Sequence, residues 1–144
     1  MVKKVVHRVC AVGIIRDSDG RVLILKMPEN KGVYPGQWGL VGGGIDSGEL
    51  MEEGLKREVR EEVGIEVDEI RPFWFFDDRR EKVDKDGSLI DVYMIYLMFD
   101  CLARSKNIKM NEEWIEYKWV EVEDLEKYDL NSASIKTFEK KGWI

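Results

Sequence analysis

Three glutamates near the middle of the chain have the residue type and the spacing for metal chemistry. Glu58, Glu61 and Glu62 stand at i, i+3 and i+4. In an α-helix with 3.6 residues per turn, these positions project from one face, within about 100° of one another. Like charges at such spacings destabilise a helix by about 0.2–0.5 kcal/mol per pair. A hard divalent cation bound by carboxylate oxygens would neutralise this repulsion, so the spacing indicates a cation site.

The helix that must carry these glutamates is predicted from about Ser47 to Val63. Asp46 lies three residues before Glu49, a spacing that predicts an N-cap residue and its capping-box partner. Gly64 is expected to end the helix in a left-handed conformation. A buried stripe at i, i+4 and i+8 is predicted for Leu55, Val59 and Val63.

Gly54 has no capping role in the middle of this helix, where glycine costs about 1 kcal/mol relative to alanine. A close approach to the neighbouring glycine loop or to a sheet would explain its presence. The sequence therefore predicts tight packing of the helix at Gly54 against one of these two neighbours.

The remaining chain alternates apolar, β-branched segments with turn residues, which predicts one mixed α/β domain over residues 1–144. A hairpin is expected from the first two strands, and a hairpin turn or mobile loop from the polar segment 77–87. The final helix has Asn131 as its predicted N-cap and Gly142 just past its end. The predicted strands cover residues 4–16, 21–27, 37–41, 66–76, 89–102 and 114–122, and the later helices cover 123–128 and 132–141.

Composition excludes several classes of function. The only histidine is His7, so a Ser-His-Asp or Cys-His nucleophile and a histidine-rich zinc site are not expected. A net charge of −6 argues against a nucleic acid polymer or a membrane surface as partner. Cys10 and Cys101 are more consistent with reduced thiols in a cytoplasmic protein than with a disulfide.

The segment around the three glutamates carries a longer pattern, G-x5-E-x7-R-E-U-x-E-E-x-G-U, where U is aliphatic. Every specified position is matched, by Gly43, Glu49, Arg57, Glu58, Val59, Glu61, Glu62, Gly64 and Ile65. This pattern is the Nudix box, and the chain resembles the Nudix hydrolase family. The resemblance implies a Nudix fold of class α/β, with a mixed β-sheet sandwiched between helices.

The resemblance also implies a magnesium site, with manganese as a substitute. Its ligands would be the carboxylates of Glu58, Glu61 and Glu62 and a backbone carbonyl near Gly42 or Gly43. Glycine at that point lets the backbone approach the metal without an intervening side chain.

Further members of the site follow from the same resemblance. Arg57 would orient the glutamates, and Glu49 would secure the loop and the helix through Arg57 or a backbone amide. The general base stays open between Glu61 and Glu113, with Glu112 next to the latter. Loop solvation is an equal alternative for Glu112 and Glu113.

Substrate contacts are less specific in the sequence. Arg79, Arg80 and Lys82 are candidates for holding phosphates, although an exposed charged turn explains them equally well. Stacking on a base is one interpretation of four aromatic residues, and ordinary packing is the stronger alternative for each of them. These aromatic residues are Tyr34, Trp38, Phe75 and Trp114.

Outside the box, residues 32–44, 77–78, 92–101, 111–120 and 128–137 resemble a bacterial nucleoside triphosphatase of the family. This implies magnesium-dependent hydrolysis of small-molecule nucleotides, with pyrimidine deoxynucleoside triphosphates favoured, to monophosphate and pyrophosphate. The alternatives are a hydrolase of nucleotide sugars or oxidised purine nucleotides, a catalytically silent nucleotide sensor, and an acidic mimic of nucleic acid. Dimers are common among similar enzymes, so a homodimer is an open alternative to a monomer.

Overall fold

The computed structural model describes residues 3–144, which form a seven-stranded sheet, two α-helices and one short 3₁₀ helix. The 3₁₀ helix covers Val122–Lys127. The α-helices are α1 (Met51–Val63) and α2 (Ser132–Lys141). The strands are β1 (Val5–Arg16), β2 (Val22–Lys26), β3 (Trp38–Gly39), β4 (Val41–Gly44), β5 (Val67–Val83), β6 (Leu89–Ala103) and β7 (Glu116–Val120).

Strand β1 lies at the centre of the sheet, whose main order is β3-β2-β1-β6-β5. It pairs in parallel with β6 along its whole length and antiparallel with the short strand β4. Because β1 has neighbours over both faces, its second half is buried at every position from Cys10 to Ile15. Strand β5 pairs antiparallel with β6 alone, and β7 pairs with β2.

Helices cover the two faces of the sheet, which confirms the predicted α/β/α arrangement. On one face, the helix α1 inserts Leu55, Val59 and Val63 into an apolar cluster with β1 residues Ala11 and Ile15. All three side chains from α1 are fully buried, as the i, i+4, i+8 stripe predicts. The opposite face packs against α2 through a second cluster that includes Val12, Ile14, Met94, Leu125 and Phe138.

The predicted start of α1 is wrong by four residues. The predicted bond between Asp46 and Glu49 is present, since the Asp46 N–H donates to Glu49 Oε1 at 2.8 Å, but both residues precede the helix. The helix begins at Met51, and Leu50 is the N-cap residue. Glu53 accepts a hydrogen bond from the Leu50 N–H at 2.8 Å and thereby supplies half of a capping box. The predicted left-handed end at Gly64 is confirmed, with φ of 68°.

The predicted loop over residues 77–87 is also wrong, because β5 continues to Val83. Every residue from Asp77 to Val83 has a pairing partner on β6, between Ile95 and Leu89. The turn is therefore limited to the residues around Gly87, whose N–H donates to the Asp84 carbonyl at 2.9 Å. Polar side chains concealed this strand in the sequence, although they alternate between exposed and half-buried positions along it.

Two further predictions need adjustment. The hairpin of β1 and β2 exists only at its turn, since the two strands pair at Arg16 and Val22 and then diverge. The glycines at 42–44 are not a loop, because they form most of β4. The α2 prediction is confirmed in detail: the Asn131 side chain accepts a hydrogen bond from the Ser134 N–H at 2.8 Å.

Among residues 3–144, no helix is both long enough and apolar enough to cross a membrane.

Substituting Leu55→Ala is expected to lower the free energy of unfolding by about 2–5 kcal/mol, because it leaves a cavity beneath α1. Leu50→Ala is the matched control, since that leucine is 72% exposed at the start of the same helix. Its effect should stay below about 0.5 kcal/mol. Urea denaturation of both variants measures the difference, and equal losses would contradict the proposed burial.

Candidate active site

The strand β4 and the helix α1 meet through a glycine. A Cβ atom placed on Gly43 would lie 2.6 Å from the Glu58 carboxyl carbon and 2.7 Å from both carboxylate oxygens. No side chain fits there, so the carboxylate of Glu58 lies directly against the backbone of β4. The residue type at position 43 is therefore dictated by this close approach.

Gly54 makes the second close approach that the sequence predicted. A Cβ atom on it would lie 3.2 Å from Glu49 Oε1 and 3.3 Å from Ile45 Cγ1. The absence of a side chain lets α1 pack tightly against the loop between β4 and the helix. This packing lets Glu49 reach Arg57, which lies about one helical turn after Gly54.

Arg57 holds the acidic residues together. Its Nε and Nη2 donate to the two carboxylate oxygens of Glu49 at 2.6 and 3.0 Å. Nη1 donates to Glu58 and to Glu61, each at 3.1 Å, and Nη2 also donates to the Gly44 carbonyl at 3.0 Å. These hydrogen bonds raise the pKa of Arg57, with Glu49 the strongest contributor, and they lower the pKa of Glu49. Arg57 thus contacts three of the glutamates and the end of β4 at once.

Glu62 is the most deeply buried member of the site, with 1% of its surface exposed. Trp114 donates from its indole Nε1 to Glu62 Oε1 at 2.7 Å, while Oε2 is buried without a hydrogen-bond partner. Burial first, and the adjacent carboxylate of Glu58 second, raise the pKa of Glu62. No local pattern indicates the indole donor, which comes from a loop 52 residues away along the chain.

The donor set fits a hard divalent cation. All candidate ligands are oxygens, and the unpartnered Oε2 of Glu62 lies where a positive charge would compensate for its burial. Within the described part of the chain, no three acidic, histidine or cysteine side chains converge closely enough to enclose a cation alone. Glu58 and Glu61 are instead directed at Arg57. A metal would accordingly need backbone, water or substrate oxygens as further ligands.

A cavity of about 570 Å³ opens beside these carboxylates. Glu58, Gly42 and Gly43 lie on one of its walls, and the sheet residues Met94 and Met98 contribute an apolar wall. The volume is typical of pockets that bind small molecules. Further charged side chains in the lining that the sequence did not single out are Arg8, Lys31 and Lys85.

Glu112 and Glu113 line the same cavity from the loop before β7. The backbone N–H of Glu113 donates to Asn111 Oδ1 at 3.0 Å, which fixes the turn of this loop. Partial burial, and then the charge of Glu58, raise the pKa of Glu113. Both glutamates are thus close to the box, although they lie more than 45 residues after its last position in the sequence.

Tyr34 also lines the cavity, and neighbouring side chains fix the position of its ring and hydroxyl. The phenol oxygen lies 3.0 Å from the Tyr96 hydroxyl and donates to Asp78 at 3.1 Å. The guanidinium of Arg80 stacks over the Tyr34 ring at 4.5 Å and donates to Ser132 Oγ at 2.8 Å. Arg80 is therefore engaged with protein groups, while Lys82 lines the cavity directly.

Three other candidates lie away from the cavity lining. Trp38 is 8% exposed and packs edge-on against Tyr128, so its ring belongs to the core. Arg79 and Phe75 occupy exposed positions of β5 and face away from the inward side that carries Arg80. Packing, the alternative weighed for these aromatic residues, describes Trp38.

Trp114, in contrast, is one of the residues that line the cavity. It is 6% exposed, and its indole donates to Glu62.

Comparison with known proteins adds the family. The NUDIX domain model matches residues 6–140. The chain belongs to the Nudix family. Enzymes of this family use a divalent metal, in agreement with the oxygen donors of the site.

Relatives and solved structures support the same assignment. The chain is 50% identical over 129 residues to the nucleoside triphosphatase NudI of Escherichia coli O139:H28, covering 88% of this chain and 92% of that protein. The MutT protein of Methanosarcina mazei has a TM-score of 0.71 at 26% identity, with 99% of this chain and 96% of that chain covered. The MutT Nudix hydrolase of Burkholderia pseudomallei has a TM-score of 0.74 at 24% identity, covering 93% and 97%, and shows the fold.

Replacing Arg57→Lys is expected to lower the free energy of unfolding in metal-free buffer by about 1–3 kcal/mol. Lysine retains the charge but loses the fork that joins three carboxylates and a carbonyl. Arg60→Lys is the matched control, because that arginine is 54% exposed and pairs with Glu66 at the surface. Urea denaturation compares the two variants. If the Arg57 variant is as stable as the Arg60 variant, the hydrogen bonds of Arg57 do not stabilise the fold.

Proposed function

We propose that this Nudix protein hydrolyses nucleoside triphosphates to the monophosphate and pyrophosphate, with Mg²⁺ as its metal. The identity to NudI, whose name states a nucleoside triphosphatase, carries the proposal because it extends over 88% of the chain. The complete box and the cavity beside it support the same activity. A catalytically silent sensor is disfavoured, since every acidic residue of the box is present.

The metal would be held by Glu58, Glu61 and Glu62 together with the backbone carbonyl of Gly42 or Gly43. When bound, Mg²⁺ would offset the negative charge of the phosphates and lower the pKa of a water molecule. Arg57 would share its hydrogen bonds between the glutamates and the loop, which keeps the carboxylates oriented when no substrate is present.

We assign the general base to Glu113 in preference to Glu61. Glu113 lines the cavity and has no cationic partner within salt-bridge distance in residues 3–144. Glu61 is 55% exposed, pairs with Arg57 and is not among the residues that line the cavity. A base must lie within reach of the water that it deprotonates, and Glu113 is the better placed of the two.

The nucleoside would occupy the apolar part of the cavity, and pyrimidine deoxynucleotides remain our proposed substrates from the resemblance to NudI. Met94 and Met98 form an apolar wall of the cavity. Tyr34 also lines the cavity, and the guanidinium of Arg80 stacks on its ring. Methionine side chains adapt to flat rings at low cost. Arg79 and Trp38 are not part of this proposal, because neither lines the cavity.

We also propose a cytoplasmic location and leave the homodimer as a proposal from similarity to other Nudix enzymes. Cys10 and Cys101 are both free and buried, as reduced thiols would be. Light scattering distinguishes the dimer from the 16.8 kDa monomer.

Incubating the protein with each deoxynucleoside triphosphate and Mg²⁺ is expected to release pyrophosphate, fastest with dCTP or dTTP. Chelation of the metal should abolish the release. Absence of pyrophosphate with all four substrates would defeat the proposed function, and a preference for a nucleotide sugar would replace it.

Glu58→Gln should lower kcat/KM by at least about 100-fold, because the amide is a poorer ligand for Mg²⁺ than the carboxylate. Glu52→Gln on the same helix is the matched control, since its exposed side chain occupies an unspecified position of the box. Equal activities of the two variants would remove Glu58 from the metal site.

Trp114→Phe is expected to weaken Mn²⁺ binding by about 10–100-fold, because Glu62 loses the indole donor that orients it. Trp119→Phe is the matched control: its indole makes a long contact, 3.4 Å, with the Lys106 carbonyl. Calorimetric titration with Mn²⁺ measures both affinities. Unchanged affinity after Trp114→Phe would show that the hydrogen bond does not position the ligand.

A further inference from the structure

Arg8 projects into the mouth of the cavity from the central strand. It lies in β1 on the same side of the strand as Cys10 and Val12, and all three line the cavity. Cys10 pairs with Gly44 on β4, which places Arg8 next to the end of the glycine strand. Arg8 is outside the Nudix box and more than 30 residues before it.

The room for this guanidinium comes from Gly44. A Cβ atom on Gly44 would lie 3.2 Å from Arg8 Nη2 and 3.5 Å from its Nε. Gly43 makes the corresponding space for Glu58 on the other side of β4, because successive strand residues face opposite sides. Two adjacent glycines therefore admit a cation on one side of the strand and an anion on the other.

Arg8 differs from the arginines that stabilise the fold. Arg57, Arg60, Arg80 and Arg104 each pair with a carboxylate within 4 Å. Between residues 3 and 144, no carboxylate comes that close to Arg8. A ligand could therefore engage Arg8 without first breaking an ion pair.

The electrostatic surroundings favour an anionic ligand at this position. Arg8 and Lys31 both act on Glu113, whose pKa their charges lower against the opposing effect of burial. Two cations from separate segments thus lie near the loop glutamate at the cavity mouth. A guanidinium binds two phosphate oxygens at once through its planar fork, and these hydrogen bonds are among the strongest in proteins.

We propose that Arg8 is a phosphate-binding residue, which contacts non-bridging oxygens of the substrate's phosphate chain from the side of β4 opposite Glu58. The inference rests on the proposed function, since it assigns a ligand within the same cavity. The phosphate chain would be held between the oxygen-rich wall of α1 and the guanidinium on β1. Arg8 would offset the part of the phosphate charge that the metal does not neutralise.

The test measures the affinity for inorganic pyrophosphate in the presence of Mg²⁺, together with KM and kcat for dCTP. Arg8→Met is expected to weaken pyrophosphate binding by about 10–100-fold and to raise KM by a similar factor, with a smaller change in kcat. Arg8→Lys should recover only part of the loss, because it keeps the charge and loses the fork. Unaltered thermal unfolding shows that each variant folds.

Arg71→Met is the matched control, because Arg71 is an exposed arginine of β5 outside the cavity lining. It should bind pyrophosphate as the wild type does. Equal affinity of wild type and Arg8→Met overturns the inference, including the case in which neither binds pyrophosphate. Arg8-dependent binding without any hydrolysis would retain the inference and reject the proposed function instead.

Discussion

The packing of α1 against β4 without an intervening side chain is the constraint on which the site depends. Glu58 can lie against the strand only because position 43 has no Cβ, and Glu49 reaches Arg57 because Gly54 lets the loop approach the helix. The buried side chains of Leu55, Val59 and Val63 pack the helix against the sheet. Core packing and acidic chemistry therefore share one helix, on adjoining faces, and Glu62 lies at the border between them.

Repulsion between carboxylates in this small volume is balanced in two different ways. Arg57 supplies a permanent positive charge to Glu49, Glu58 and Glu61 at the accessible side. Glu62, on the buried side, receives one neutral donor from Trp114 and keeps one oxygen unpartnered. Ion pairs with Arg57 thus compensate the accessible carboxylates. The buried carboxylate of Glu62 has no such partner, so a bound cation would stabilise it most.

The sequence was informative where one local rule decides the outcome. Helical periodicity predicted the buried face of α1. The spacing of the Nudix box indicated a cluster around Arg57, and Arg57 contacts Glu49, Glu58 and Glu61 in the structure. It failed where a neighbouring strand decides: β6 supplies the hydrogen bonds that make residues 77–83 a strand, despite their polar side chains. Local spacing predicted the bond from the Asp46 N–H to Glu49 but placed the start of α1 four residues too early. Contacts such as Trp114 with Glu62 join distant segments, so no local pattern reports them.

The long strand β5 ends the sheet and pairs on one side only, which leaves a row of backbone groups open to solvent. Such an edge could recruit an extended segment of another molecule and start aggregation. Pro72 removes one donor from this edge, the shift in register beside it interrupts the ladder, and the exposed Asp77, Arg79 and Glu81 add charges. The polar composition that concealed this strand in the sequence thus protects the chain from unwanted sheet extension.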